Sequence, residues 1–444
     1  MSDEPNYPAE RFGWYVVFVL CVCGVVANID RQIINLLVED IRADLVVSDT
    51  QISLLQGFAF AMFYAIVAIP LGRLADSKNR RNLIAIGIVA WTLAAIACGL
   101  AETYAQLFAA RMAVGIGEAV LTPAGFSLLA DMFKPRRLAR PLSVYTASSF
   151  LGGGIALMVG GIIIRALDNP VDDSMLAFLG DREPWQSAFI LGALPGLPVA
   201  LWFFLSVKEP PRRATAKART DAEQYRQGFS HAIRFCLDNG RLFLAVFVGI
   251  SMMAAAQFAL GAWVPAYFIR VHEWTAAEIG AAQGLLFMIG GTAGVVAGGW
   301  VTDFLFKRGY HDANLRTAAI AALGCIPFAL AAMLVTDGTL AIWLLAPAMF
   351  FGTMPFGPGP ATIPIIAPPY FRAQLVALYL LVANLVGQSG GPWVVAMLTD
   401  NLFKRPDAIN YSLAITVPVL LLIGAGLATV GWKPLRERLA EDQQ

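Results

Sequence analysis

Charge is scarce in this 444-residue sequence: Asp, Glu, Lys and Arg together make up 14% of it, against about a quarter in an ordinary soluble domain. With 58% hydrophobic residues, that deficit points to lipid rather than water as the solvent. Histidine is rarer still. His231, His272 and His311 all fall between apolar runs, so no imidazole sits at membrane depth as a proton switch. The five cysteines, Cys21, Cys23, Cys98, Cys236 and Cys325, show neither paired metal-ligand spacing nor a disulfide framework. Within apolar runs a thiol mostly packs as a small hydrophobe. A glycine-lysine phosphate loop is missing, and so is any Ser/His/Asp or metal-ligand set in the apolar runs. Transport driven by ATP and enzymatic chemistry are therefore not expected, nor is a cofactor. The net charge of +1 offers no basic patch for nucleic acid.

What is abundant is long charge-free sequence. The runs are 14–29, 52–72, 82–101, 112–117 with 119–130, 141–164, 184–207, 242–269, 279–302, 317–336, 338–371, 373–399 and 408–432. About 20 apolar residues cross the hydrocarbon core, so the pattern predicts an all-α membrane protein with twelve transmembrane helices. The first run continues through Asp30 and Arg31 to about Val38, and the fourth holds Glu118 with Arg111 near its start. Residues 1–10 are polar and acidic and lead straight into further spans, so a cleaved signal peptide is not expected. With the N-terminus inside, only Arg42, Arg165, Arg182, Arg270, Lys404 and Arg405 lie outside, and Arg31 and Arg111 lie in the membrane. The remaining Lys and Arg are cytoplasmic. This bias places both termini in the cytoplasm and the protein in the inner (plasma) membrane.

The longest charged stretch divides the spans six and six. Residues 1–207 form an N-terminal six-helix bundle, 208–241 a cytoplasmic linker, and 242–444 a C-terminal bundle with a cytoplasmic tail. The linker carries eight Lys/Arg and has room for a surface helix around Tyr225, Phe229, Ile233 and Phe235. An internal repeat supports the division. Gly72-Arg-Leu-Ala-Asp76, with Arg80 and Arg81 beyond it, is echoed by Gly299-Trp-Val-Thr-Asp303 with Lys307 and Arg308 at the same offsets. Ala130-Asp131-Met132-Phe133 is echoed by Pro368-Pro369-Tyr370-Phe371, and the glycines at 152–154 and 160–161 by those at 387–391. Two pseudo-symmetric bundles follow.

Gly72-x-x-x-Asp76-Ser-Lys-Asn-Arg80-Arg81 resembles the signature of the major facilitator superfamily between helices 2 and 3, with Ser77 and Asn79 where a basic residue and a glycine are common. Asn28-Ile29-Asp30-Arg31, Arg111-Met-Ala-Val-Gly115-Ile-Gly117-Glu118-Ala119 and Asp131-Met-Phe-Lys-Pro135-Arg136-Arg137 resemble its Spinster-type transporters. The organic-anion symporter branch shares much of these motifs, and Val120-Leu121-Thr122 departs from the Ser-Tyr of Spinster proteins. The resemblance implies two bundles that rock to alternate access, with the helix 1 acid as protonation site. The superfamily's antiporter motif, with Gly-Pro in helix 5, is only partly met because the proline is missing. The helix 5 glycines serve close packing or bending equally well.

Charges at membrane depth cost roughly 2.5–3.5 kcal/mol each on insertion scales and commonly mark a transport pathway. Asp30 lies about 24 Å along helix 1 from Trp14 at 1.5 Å per residue, a depth comparable with Glu118. Neighbouring residues on a helix diverge by about 100°, so Asp30 and Arg31 cannot share one partner. The economical arrangement pairs Arg31 with Glu118 as gate or anion anchor, with Asn28 nearby, and turns Asp30 elsewhere as the proton carrier. A static ion pair joining helices 1 and 4 is the plainer alternative. Arg111 either joins this site or snorkels to the outer interface. Gly72, Asp76, Arg80, Arg81, Asp131, Arg137, Asp303 and Lys307, at cytoplasmic helix ends, are expected to form latches between the halves, unless they are ordinary interfacial charges.

All four intramembrane charges belong to the N-terminal half. The C-terminal half offers Gln257, Gln283, Asn384 and Gln388 amid Phe258, Trp263, Phe287, Met288, Phe350 and Phe351. Such a division suits an amphipathic small molecule or lipid, with Arg31 or Arg111 holding a phosphate or carboxylate. The resemblance likewise implies lysolipids or sphingoid-phosphate-like lipids. A symporter of small organic anions such as sugar acids is the second reading. Transport would be secondary, driven by a proton gradient, by a monomer in contact with membrane lipids.

Overall fold

Hydropathy dominates the architecture. The computed structural model describes residues 7–134, 137–168, 179–212, 229–367 and 372–441; among them no β-strand occurs and twelve helices are long and apolar enough to cross a bilayer. We label these α1 (Glu10–Leu36), α2 (Asp49–Ala68), α3 (Arg80–Cys98), α4 (Tyr104–Met132), α5 (Arg140–Asp168), α6 (Pro184–Ser206), α7 (Gly240–His272), α8 (Ala276–Lys307), α9 (Ala313–Leu334), α10 (Gly338–Ile366), α11 (Gln374–Phe403) and α12 (Pro406–Leu439). A helix at Phe229–Asp238 stands where the linker was expected to carry one. Tyr225, the echo at 368–371, and Pro135 and Arg136 lie outside the described residues.

Local chemistry sets where these helices start and break. The hydroxyls of Ser48 and Thr103 accept the backbone N–H of Gln51 and Gln106, whose side chains reach back to the Ser48 and Thr103 N–H groups. These capping boxes satisfy amides that α2 and α4 would otherwise leave bare. Asn79 and Asp337 cap α3 and α10 in the simpler way. Pro123 lacks an N–H, and its ring crowds the carbonyl four residues earlier. The α-helical pattern of α4 accordingly breaks after Glu118 and resumes at Leu121. Glycine is required just there: a Cβ on Gly117 would lie 2.7 Å from the Trp91 backbone nitrogen of α3.

Two compact units result. One comprises Met1–Val47, Met62–Arg213 and Ala276–Gly284; the other comprises Ser48–Ala61, Ala214–Thr275 and Leu285–Gln444. The first part of α2 thus packs with the unit that holds most of the C-terminal spans, and the first part of α8 with the other. In the first unit α1 lies along α5, and α3 packs on α4 and α6. Gly152 and Gly160 of α5 face α1, at Val25 and Leu36, so these two serve packing. In the second unit α9 packs on α10 and α12, and α7 on α11 and α12.

Between α1 and α2 the chain turns through Val46, 88% exposed with φ 50°. A β-branched side chain is strained in this left-handed conformation, which glycine adopts freely. Val46→Gly is therefore expected to stabilise the protein by on the order of 1 kcal/mol, after allowing for the added freedom of the unfolded chain. Thermal unfolding in detergent reads this out, and a lowered midpoint contradicts it.

Candidate proton and substrate site

Four charged side chains meet inside the first unit. Arg31 on α1 donates its Nε to Glu118 Oε2 at 2.6 Å, and its Nη2 meets the same oxygen. Arg31 is partly exposed and Glu118 is buried. The Arg31 guanidinium also lies 5.4 Å from the ring centroid of Tyr64 on α2, whose hydroxyl is 3.1 Å from the Thr122 hydroxyl. Tyr64 thereby links α2 to α4 just past the helical break. Asn28 donates to the Gly24 carbonyl of its own helix at 2.8 Å and is partly exposed.

Arg111 does not reach the interface. It is 1% exposed and donates Nη1 to the backbone carbonyl of Asp30 at 2.8 Å, so it is a fixed member of this cluster. The Asp30 carboxyl, 1% exposed, has no hydrogen-bond partner for either oxygen among the described residues. The charged groups acting on it are Glu118, Arg111 and Arg31. Sequence geometry turned Asp30 away from the Arg31–Glu118 pair, and the structure encloses its carboxyl. With both carboxylates ionised the cluster carries no net charge, and a proton on Asp30 leaves it one positive charge.

The latch residues fall into two groups. Arg80, 2% exposed, donates Nη1 to Asp131 Oδ2 at 2.6 Å, Nε to Glu209 Oε1 at 2.8 Å and Nη1 to the Ser127 carbonyl at 2.9 Å. The Arg81 backbone N–H donates to the other Glu209 oxygen at 3.0 Å, and its guanidinium lies 4.6 Å from the Phe204 ring centroid. This network is internal to the first unit, whereas the sequence suggested partners in the other half. Arg137 pairs with Glu10 at an exposed position. Gly72 is half-buried; the Asp76 side chain lies outside the described residues. Asp303 and Lys307 are exposed and form no ion pair among the described residues. Glu209 and Tyr64 went unnoticed in the sequence. Glu209 carried a signal, an acid in the basic stretch that ends α6, whereas Tyr64 is one hydroxyl in an apolar run.

The second unit holds an apolar groove. Met288, Ile289, Thr292, Val296 and Trp300 of α8, with Phe350 of α10, line an open groove of ≈ 520 Å³. Gln257 is 5% exposed and donates to the Met349 sulfur at 2.6 Å. Asn384 bonds to the Leu380 carbonyl of its own helix. Trp263, one of the aromatics singled out in the C-terminal spans, is fully buried and donates to the Pro392 carbonyl at 2.9 Å.

The Major Facilitator Superfamily model matches residues 20–392. An MFS-type efflux pump of Mycolicibacterium smegmatis is 28% identical over 426 residues, covering 96% of this chain and 94% of that protein. The probable L-galactonate transporter of Escherichia coli is 25% identical over 349 residues, 77% of this chain and 73% of its own. Among solved structures, a bacterial homologue of the human lysosomal transporter Spinster, in an inward-facing and unoccupied conformation, superposes with a TM-score of 0.77. It is 22% identical, with 98% of each chain covered.

Proposed function

Because this multi-pass membrane protein belongs to the Major Facilitator Superfamily, we propose that it is a proton-coupled secondary transporter working by alternating access, and that it carries an amphipathic lipid-like substrate of lysolipid or sphingoid-phosphate type. The observation that carries this reading is the enclosed Asp30 carboxyl, without a hydrogen-bond partner among the described residues, beside the Arg31–Glu118 pair. Protonation of Asp30 leaves the cluster positive, which favours an anionic head group at Arg31, the only partly exposed member. Proton and anion then reinforce one another's binding. Within the second unit, the apolar groove of α8 has lining chemistry that suits a hydrocarbon tail. The Lys/Arg asymmetry supports a cytoplasmic location for both termini.

The second reading, a symporter of small organic anions, is favoured by the L-galactonate relative and by the ability of Arg31 to hold any carboxylate. Thermal unfolding of the purified protein separates the two. Lysophospholipids and sphingoid phosphates are expected to raise the unfolding midpoint, and sugar acids to leave it unchanged. Stabilisation by sugar acids alone reverses the order.

A further inference from the structure

The first part of α2 is fastened into the second unit by bonds that membrane insertion does not require. Asp49 is 0% exposed, and Arg270, at the end of α7, grips it with both terminal nitrogens: Nη1 to Oδ2 at 2.7 Å and Nη2 to Oδ1 at 2.8 Å. Thr50 adds its backbone N–H and its hydroxyl, both donated to Asp400 Oδ2 of α11 at 2.7 Å. Further along, a Cβ on Gly57 would lie 2.6 Å from the Gln388 carbonyl oxygen, so α2 and α11 touch through their backbones. All these partners lie in the second unit, yet α2 leaves that unit between Ala61 and Met62. A π-helical turn at Leu54–Phe58 precedes the crossing, the kind of local irregularity that often marks a functional element.

We propose that the Asp49–Arg270 pair, backed by the Thr50–Asp400 bonds, is a lock that holds the first part of α2 to the second unit and opens when the transporter changes the side to which it gives access. The inference rests on the alternating-access reading above. A bidentate arginine–carboxylate pair kept from water is stable only while its geometry is complete. Partial separation leaves two unhydrated charges, whereas full separation lets water in to solvate both. The pair therefore has two favourable states and a costly intermediate, which is what a two-position switch requires.

Spin labels at Glu102→Cys, in the loop between α3 and α4, and at Tyr411→Cys, at the start of α12, report the separation of the units on the side where α1 ends. Both positions are exposed. Cys21 and Cys236, the two cysteines that are not buried, are replaced by Ser. Pulsed electron–electron distance measurements on the reconstituted protein are expected to show the ratio of longer- to shorter-distance populations in Asp49→Asn raised at least ~100-fold over the parent, the scale on which losing one partner of a buried pair acts. Thr50→Val, which keeps the ion pair, shifts it less in the same direction, and exchanging the charges at 49 and 270 restores part of the parent distribution. If Asp49→Asn does not fold, Thr50→Val decides in its place. Variant distributions identical to a two-distance parent overturn the lock alone. A single distance in the parent and in every variant, at every pH, overturns alternating access and the lock with it.

Discussion

Asp30→Asn protein in liposomes is expected to bind and exchange substrate but to accumulate none of it when a pH gradient is imposed. The substitution keeps the shape of the side chain and removes its ability to release a proton. Each pH unit contributes about 1.4 kcal/mol per proton. With one proton per substrate, a gradient of two units therefore drives roughly 100-fold accumulation by the parent protein and none by the variant. The Asp30 backbone carbonyl still accepts Arg111, so the cluster keeps its frame. Burying an amide in place of an unpartnered carboxyl is also less costly, and the thermal midpoint is expected to hold or rise. Uptake and stability thus move independently, as a purely structural role would not allow. Accumulation by Asp30→Asn equal to that of the parent protein would falsify the assignment. The other titratable carboxyl of the cluster, Glu118, is held by Arg31, and removing that acid is expected to disturb the anchor as well as the charge.

How much of this was legible in the sequence follows from what each partner looks like in a string of residues. The twelve spans were readable because lipid penalises charge, and their ends differ from the charge-free runs where polar caps extend a helix. The second run begins at residue 52, whereas α2 begins at Asp49, behind the Ser48–Gln51 capping box. Pairing of Arg31 with Glu118 followed from helical geometry, since neighbouring side chains diverge. Arg111 could not be placed in the same way, because its partner is a backbone carbonyl, which every residue possesses. In the sequence Arg270 is one more cation outside the membrane, and nothing sets Asp49 apart. Their 221-residue separation leaves no periodic trace of the bond between them. The helical break beside Glu118 was encoded in Pro123, but its consequence, Thr122 turned to Tyr64, depends on how α2 packs.

Arg80→Met is expected to cost about 3 kcal/mol, at the lower end of the range for removing one member of a buried ion pair. Arg80 is 2% exposed and serves two carboxylates at once, while Asp131 and Glu209 keep 15% and 19% exposure. Both acids regain some hydration when the arginine leaves, which holds the loss below the upper limit, but each loses its arginine partner. Arg80→Lys restores the charge and not the fork, because an ammonium cannot present separate nitrogens to two acids and a carbonyl. Less than half of the loss is expected to return. Arg81 provides the internal comparison. It belongs to the same motif, yet it holds Glu209 through its backbone N–H, which Arg81→Ala retains. That variant loses only the contacts to Asn82 and the Phe204 ring, worth about 1 kcal/mol or less. Thermal unfolding of the three variants tests the ranking. If Arg80 acted only as a latch between the halves, its removal would alter transport and leave the unfolding midpoint unchanged. Bonds confined to one unit require the midpoint to fall.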